Sequence, residues 1–263
     1  MNLQFLIIDP QYDFADPNGH LFVPNADQDA LRLAAMLERH MQQIQSIHVT
    51  LDSHHWFDIA HPAFWVNTQG QHPEPFTLIT EQDIELGQWR TAKAACQNRA
   101  REYVKSLKRN ARYDLVVWPP HCLIGQKGHS IVEPIAQQLN AWESQQFTVD
   151  YIIKGTNIWT EHYSAVQADV PDPEDSGTHL NTALITELKH ADIIAISGQA
   201  LSHCVANTIY DIAEFFEPQE MQKLVLIEDT TSSVSGFEHL GETFMQTMQQ
   251  RGMRVAKSTD MLV

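Results

Sequence analysis

The segment Asp192–Thr208, DIIAISGQALSHCVANT, decides the fold class of this chain. It begins with a short apolar run that lacks polar alternation, which is typical of a strand covered on both faces. A turn containing Gly198 follows, and a helical pattern begins just after Cys204. A buried strand that leads through a turn into a helix is half of a βαβ unit. The segment therefore predicts a parallel sheet with covering helices, and it places a thiol beyond the carboxyl end of one strand.

The same alternation of strand and helix patterns extends from this segment through most of the chain. Short apolar runs predict seven candidate strands: Gln4–Asp9, Ser46–Asp52, Tyr113–Trp118, Asp150–Lys154, Asp192–Ser197, Lys223–Glu228 and Met253–Ala256. Helical spacing predicts the segments between them: Ala26–Gln43, Thr91–Arg109, Ser130–Glu143, Thr182–His190, Val205–Phe216 and His239–Arg251. Strands separated by helices of this length predict a mostly parallel sheet with helices on both faces.

One stretch, Pro62–Gln88, interrupts this alternation. It contains Pro, a Gly turn and scattered aromatic residues without a clean period. We interpret it as part of an insertion at the carboxyl end of the second strand. The whole chain, 1–263, is then predicted to be one domain, with an inserted segment at about 66–111.

Composition excludes several classes of protein. The chain has 263 residues with 17 Lys and Arg against 33 Asp and Glu, a formal net charge of −16. So acidic a chain lacks the basic footprint that nucleic acids require, and it is repelled by anionic membranes. Its three cysteines are an odd number at wide spacing, which argues against a disulfide framework and for a reducing compartment. With no signal-peptide pattern or 20-residue apolar run, we expect a cytoplasmic protein.

Ionisable side chains follow several of the predicted strands. Asp9 ends the first, Lys154 ends the fourth, and Cys204 lies beyond the fifth at the start of a helix. In an open α/β sheet ligands bind at these strand ends. A Cys in the first turn of a helix is expected to have a lowered pKa, and Asp9 is placed to act as its base. Taken singly, the three residues also fit a buried thiol, a turn Asp and a surface Lys, but together they predict a Cys/Lys/Asp site.

A second group of side chains has the chemistry of a metal site. Asp52 and His54 lie two residues apart at the end of the second strand, so they face the same side. His121, in the sequence WPPHC after the third strand, supplies a third ligand. Imidazole and carboxylate ligands suit one divalent ion, Zn²⁺ first, with Fe²⁺ or Mn²⁺ as alternatives. His61 is either a further ligand or a partner of the ligands.

These motifs carry a family resemblance. The resemblance rests on five sequence segments: LIIDPQYDF, DSHHWFDIAHPAF, WPPHCLIGQKG, KGTNIWTEHYSAV and SGQALSHCVANT. The chain resembles the nicotinamidases within the isochorismatase-like cysteine hydrolase superfamily, over nearly its whole length outside about 66–111. The resemblance implies a three-layer α/β/α fold with a six-stranded parallel sheet. It also implies hydrolysis of nicotinamide to nicotinate and ammonia through a thioester, a step of pyridine nucleotide salvage.

The resemblance assigns a role to each matched residue. It implies Cys204 as the nucleophile, Asp9 as the base, Lys154 as the stabilising cation and a metal held by Asp52, His54 and His121. A cis peptide before Ala200 is expected, with the N–H groups of Ala200 and Cys204 as the oxyanion hole. The residues implied to surround a small carboxamide are Phe14, Trp118, Tyr163 and, beside the nucleophile, His203.

Some features depart from the family pattern. Many members have Asp where this chain has Ser202, and the inserted segment brings aromatic residues such as Phe64, Trp65, Phe76 and Trp89 that we expect to reshape the pocket. A related cysteine amidase acting on another carboxamide or a ureido compound therefore stays open. So does a catalytically silent metal-binding homologue, and so does a homo-oligomer.

Overall fold

The computed structural model describes residues 1–110 and 113–260. The predicted end of the insertion at Ala111 lies outside the described residues. Within them, none of the helices combines the length and apolar character needed to cross a lipid bilayer.

The centre of the fold is a six-stranded parallel sheet, as predicted. Its strands, numbered along the chain with those of two small ribbons, are β1 Leu3–Ile8, β2 Ile44–Asp52, β7 Asp150–Lys154, β8 Ile193–Gly198, β9 Leu224–Ile227 and β10 Arg254–Ala256. Across the sheet they lie in the order β10–β9–β8–β1–β2–β7. Every residue of β1, β8 and β9 is buried, as their largely apolar sequences without polar alternation predict.

Helices flank this sheet and complete the predicted α/β architecture. The described helices are α1 Tyr12–Ala15, α2 Ala26–His40, α3 Glu81–Glu85, α4 Gln97–Asn110, α5 Glu133–Glu143, α6 Thr182–Lys189, α7 Ala206–Ala213 and α8 Glu238–Gln250. Helix α2 packs against α5, and α7 packs against α8. The predicted helix Thr91–Arg109 begins later, at Gln97, because Thr91 belongs to a short strand and a 3₁₀ turn, Ala94–Cys96, follows.

The prediction that Tyr113–Trp118 belongs with the parallel strands is wrong. Only Leu115–Val117 is extended there, as β6, and it pairs antiparallel with β4, Thr77–Ile79, of the inserted segment. A second small antiparallel ribbon joins β3, Trp65–Val66, to β5, Arg90–Thr91. Met253–Ala256 instead supplies the sixth strand of the sheet, as β10. An apolar run identifies a buried strand but not its partner, because pairing depends on which chain segments meet in space.

The strand order reverses between β1 and β8. The chain proceeds from β1 outward through β2 to β7, and then returns to β8 on the other side of β1. Such a reversal opens a crevice beyond the carboxyl ends of the two strands, where open α/β sheets bind ligands. Gly198, at the end of β8, lets the ends of β8 and β1 lie close together, because a Cβ on residue 198 would lie 1.9 Å from the carbonyl oxygen of Ile8.

Strand β7 lies at one edge of the sheet. Tyr151 and Ile153 are 42% and 51% exposed, so the apolar run of this strand does not reflect burial on both faces. Its last residue, Lys154, is by contrast buried at the end of the sheet. The edge position therefore leaves the strand open to solvent and still delivers one charged side chain to the interior.

Candidate active site

The carboxyl ends of four parallel strands bring the predicted catalytic residues together. Asp9 follows β1, Asp52 and Lys154 end β2 and β7, and Cys204 lies beyond β8. In the register of β2 with β7, Asp52 is directly opposite Lys154. Because side chains paired in this way project to the same face of the sheet, the register itself places a cation beside this carboxylate.

Asp9 is held in an unusual backbone conformation. Its φ of +43° lies in the left-handed region, which non-glycine residues seldom adopt. Thr50 fixes it there: the Asp9 N–H donates to Thr50 Oγ1 at 3.0 Å, and the Thr50 hydroxyl donates to Asp9 Oδ1. Complete burial raises the pKa of Asp9, and the nearby cation of Lys154 opposes that rise. The result is a carboxylate of increased basicity at the end of β1.

Lys154 is the buried cation that connects the site. Its Nζ lies 2.9 Å from Asp9 Oδ2, 3.0 Å from Asp52 Oδ1 and 3.7 Å from Cys204 Sγ. Burial by itself lowers the pKa of Lys154, but the two carboxylates outweigh burial and hold that pKa well above its usual range. Lys154 therefore stays charged, and its charge is shared among Asp9, Asp52 and the thiol.

Cys204 differs from its sequence-based prediction in two respects. It lies in a π-helical turn, Leu201–Val205, that precedes α7, instead of in the first turn of an α-helix. Its pKa is raised well above the usual thiol value, because burial and the charges of Asp9 and Asp52 outweigh the attraction of Lys154. The expectation of a lowered pKa is wrong for the resting site. The thiol is protonated and requires a base when it reacts.

The π turn leaves backbone donors near the sulfur. The peptide bond between Gln199 and Ala200 is cis, as the resemblance implies. The carbonyl of Ala200 accepts hydrogen bonds from the N–H groups of His203 and Val205 at 3.0 and 3.1 Å, but not from that of Cys204 between them. Among the described residues the Ala200 N–H has no hydrogen-bond acceptor. The N–H groups of Ala200 and Cys204, which the Ala200 carbonyl leaves free, are the predicted oxyanion hole.

The predicted metal ligands Asp52, His54 and His121 form one compact, buried group. Their ligand atoms all lie within 4.8 Å of one another. His54 Nε2 is 3.1 Å and His121 Nε2 is 3.4 Å from Asp52 Oδ2. The chain reaches this arrangement because the His54 N–H donates to the carbonyl of Cys122, which holds the segment after β6 against the exit of β2.

Hydrogen bonds on the far side of each imidazole prepare this group for a cation. The Nδ1 atom of His54 lies 3.0 Å from Asp58 Oδ2, and that of His121 lies 2.8 Å from the carbonyl of Pro119. These oxygens accept a hydrogen bond from the Nδ1–H group of each ring, which leaves the Nε2 lone pairs facing Asp52. Burial lowers the pKa of His54, but Asp52 and Asp58 raise it well above its usual value, so a bound cation would replace a proton. The donor set fits a divalent ion.

His61 is adjacent to this group. It is fully buried, and its ring centroid lies 5.0 Å from that of His54 and 5.4 Å from that of His121. Its Nδ1 faces the carbonyl of His55 at 3.1 Å, while its Nε2 has no partner among the described residues. Burial first, and then the neighbouring imidazoles, lower the pKa of His61 to about 2. A neutral imidazole with an unpartnered lone pair is compatible with either of its predicted roles.

An aromatic cavity opens beside the thiol. Asp52, His121, Ala200 and Cys204 contribute to its lining. The predicted substrate-binding residues all line it as well: Phe14, Trp118, Tyr163 and His203. The Trp118 indole N–H donates to the Tyr163 hydroxyl at 2.9 Å, so two of the walls hold each other in place. The shape and lining suit a flat, largely apolar ring.

The inserted segment contributes less to this cavity than its aromatic content predicts. Phe64 and Trp65 are fully buried in the hydrophobic core, away from the cavity lining. Phe76 reaches the cavity wall, with its ring 5.7 Å from that of Trp118 in an edge contact. Tyr103 of α4 supports the cavity from outside, because its hydroxyl accepts a hydrogen bond from the Glu161 N–H at 3.0 Å.

Sequence reasoning missed several residues of the site. Thr50 lies two residues before Asp52 on the same strand, and Asp58 lies four residues after His54, so local spacing could have indicated both. Glu161 lines the cavity, and burial raises its pKa to about 8. Phe237 is 4.9 Å from the His203 ring, and no nearby motif points to it.

Comparisons with known proteins agree with this geometry. No family model matches the chain. It is 25% identical over 209 residues to the nicotinamidase of Saccharomyces cerevisiae, covering 80% of each protein. Among solved structures, the yeast nicotinamidase Pnc1p superposes with a TM-score of 0.67 at 20% identity, over 97% of this chain and 99% of that one.

A more distant structure has the same fold. The pyrazinamidase of Pyrococcus horikoshii, solved in complex with zinc, superposes with a TM-score of 0.59 at 17% identity, over 98% of this chain and 99% of that one. By fold and by sequence, the chain is thus similar to the nicotinamidases, as its motifs predict.

Proposed function

We propose that this chain hydrolyses nicotinamide to nicotinate and ammonia through a thioester on Cys204. The observation that carries the proposal is the position of Lys154 Nζ, in contact with both the Asp9 carboxylate and the Cys204 sulfur beside an aromatic cavity. The similarity to the yeast nicotinamidase supports the choice of substrate. A buried thiol, a basic carboxylate and a fixed cation are the parts that thiol-based amide hydrolysis requires.

In the first half of the reaction, Asp9 removes the proton from Cys204 as the sulfur attacks the carboxamide carbon. The raised pKa of Asp9 suits this transfer from a thiol whose own pKa is raised by burial. The carbonyl oxygen then gains negative charge, which the N–H groups of Ala200 and Cys204 stabilise, each worth about 3 kcal/mol when well aligned. Lys154 stabilises the thiolate and the charged intermediate.

In the second half, Asp9 returns the proton to the nitrogen, and the C–N bond breaks to release ammonia and leave a thioester. Asp9 then accepts a proton from water, whose oxygen attacks the same carbon. The C–S bond breaks, the sulfur recovers its proton, and nicotinate departs. Each step uses the same carboxylate alternately as base and acid, so no second titrating residue is required.

Asp52, His54 and His121 would hold one divalent ion in this site. When bound, the ion would help to hold and orient the substrate ring and to polarise water. We propose Zn²⁺, with Fe²⁺ and Mn²⁺ as alternatives, because the ligands are imidazoles and a carboxylate. The zinc complex of the pyrazinamidase of similar fold supports the first choice.

The chain is proposed to form a single domain and to work in a reducing compartment. We infer one domain over 1–263, in which the segment at about 66–111 is an insertion that packs Phe76 against Trp118 of the cavity wall and supports the cavity from outside through Tyr103. A reducing compartment such as the cytoplasm is supported by the three free, buried cysteines, one of which must stay a thiol.

Ammonia release from nicotinamide, measured on protein whose metal content has been determined, tests this function. We expect turnover by the wild type and none by Cys204→Ala, with Cys96→Ala as the matched control because Cys96 is buried outside the site. Metal-loaded wild type that is inert on nicotinamide but active on a larger carboxamide would favour the related amidase, to which the contact of Phe76 with Trp118 also points. Inactivity on every carboxamide would contradict both.

A further inference from the structure

His203 is a buried polar side chain for which the mechanism above has no use. It is 3% exposed and lines the cavity next to Cys204. Its ring stacks on Tyr113 at 5.2 Å and meets Trp118 and Phe237 through edge contacts at 5.2 and 4.9 Å. Its Nε2 atom has no hydrogen-bond partner among the described residues. A polar atom left in this way in an aromatic wall points to a ligand that satisfies it.

The neighbouring Ser202 determines which nitrogen of His203 carries the proton. Ser202 is fully buried, and its Oγ has two partners among the described residues. One is the Val234 N–H at 3.1 Å, which can only donate. The other is His203 Nδ1 at 2.8 Å. Because the hydroxyl hydrogen requires an acceptor, it is donated to Nδ1, and Nδ1 is therefore the unprotonated nitrogen.

His203 then presents an N–H donor at Nε2. Burial lowers the pKa of His203 to about 4, so near neutral pH the ring carries one hydrogen. With Nδ1 occupied as an acceptor, that hydrogen is on Nε2. A buried donor without an acceptor is unfavourable, whereas one that meets an acceptor on a bound molecule contributes to selectivity.

We propose that Ser202 positions His203 as its Nε2–H tautomer, and that this N–H donates to an acceptor atom on the substrate ring. The preferred substrates are then carboxamides whose rings carry an additional acceptor, with pyrazine favoured over pyridine. The substrate part of this inference rests on the proposed function, whereas the tautomer does not. A carboxylate in place of the hydroxyl would only accept, so it would draw the proton to Nδ1 and leave a lone pair at Nε2.

Nitrogen-15 NMR of histidine-labelled protein at pH 8 tests the tautomer directly, with the His203 signals assigned by their loss in His203→Gln. We expect an Nε2–H pattern for His203 in the wild type and an Nδ1–H pattern in Ser202→Asp. His72 is an internal reference for the opposite tautomer, because its Nδ1 faces the carbonyl of Trp65 at 2.7 Å. An Nδ1–H pattern for His203 in the wild type would overturn the proposal.

The ratio of kcat/KM for pyrazinamide to that for nicotinamide tests the substrate part. In Ser202→Asp this ratio should fall about tenfold, near the upper end of what one hydrogen bond contributes. An unchanged ratio in a variant whose tautomer has reversed would refute substrate recognition by His203 and favour a donor directed at an aromatic face. If Ser202→Asp does not fold, Ser202→Ala, which removes the donor to Nδ1, should lower the ratio in the same direction. Wild type that hydrolyses neither compound would contradict the proposed function, and the NMR result would still decide the tautomer.

Discussion

Replacing Lys154 by methionine removes the cation that contacts Asp9, Asp52 and Cys204 while nearly preserving the volume of the side chain. The ion pairs of 2.9 and 3.0 Å are buried, so the change leaves carboxylates without a partner in a site of low polarity. Removing one member of a buried pair costs about 3–5 kcal/mol of stability. A partly exposed pair provides the contrast: the side chains of Lys223 and Glu220, three residues apart, are 26% and 20% exposed and lie 3.5 Å from each other. Loss of this pair should cost about 1 kcal/mol or less.

The same change should abolish most of the activity. Without Lys154, the main influence that opposes the burial-induced rise in the pKa of Asp9 is lost, and only the hydrogen bond from Thr50 still opposes it. The Asp9 carboxyl then takes up a proton and no longer accepts one from Cys204. General-base catalysis is worth about 10²–10⁴ in rate, and the thiolate also loses its counter-charge, so we expect kcat to fall by about 10³ or more.

The assay is ammonia release from nicotinamide by Lys154→Met and by Lys223→Met, after urea unfolding and circular dichroism have shown both to be folded. Lys154→Arg, which keeps the charge but not the geometry, should recover only part of the rate. A folded Lys154→Met enzyme whose kcat lies within about tenfold of the wild type would refute the reasoning, because a base dependent on this cation contributes at least about 10².

Three further predictions concern the surroundings of the site. Gly155 and Gly70 both have left-handed φ values, +82° and +80°, but a Cβ on Gly155 would lie 2.9 Å from Asp52 Oδ1 whereas one on Gly70 would meet nothing within 4 Å. In urea unfolding, Gly70→Ala should therefore cost about 1–2 kcal/mol and Gly155→Ala clearly more, and equal costs would show that the contact is harmless. Asp58→Asn should weaken Zn²⁺ binding about tenfold in a chelator competition, since Asp58 orients a metal-binding imidazole, and unchanged affinity would remove it from the site. Burial first, and then the charge of Lys154, lower the pKa of His162 to about 3. The unfolded chain thus binds a proton below pH about 6.5 that the folded chain does not, and this group should reduce stability by about 2–3 kcal/mol between pH 7 and 4.5. His162→Gln should lack that part of the acid-induced loss, and an identical pH profile would contradict it.

Much of the fold was predictable because the signals involved are local. Buried parallel strands are read from short apolar runs, and the strands β1, β2, β7, β8 and β9 were all identified in this way. The carboxyl ends of parallel strands share one edge of the sheet, so the sequence also indicated that Asp9, Lys154 and Cys204 lie near one another. The partner of the strand before His121 was not predictable, because β6 pairs with a segment of the insertion that has no periodic pattern of its own.

The sequence by itself determined which side chains supply the chemistry, whereas the tertiary structure decided their states. The pairing of Asp52 with Lys154, 102 residues apart, follows from the register of two strands, which no local pattern encodes. The protonation of Cys204 reversed between the two levels, because the attraction expected at a helix end is outweighed once burial removes the thiol from water. The same holds for His203, whose tautomer depends on a hydroxyl that is itself directed by the backbone of Val234. Residue type is local, but charge and hydrogen-bond polarity depend on the three-dimensional surroundings that the fold assembles.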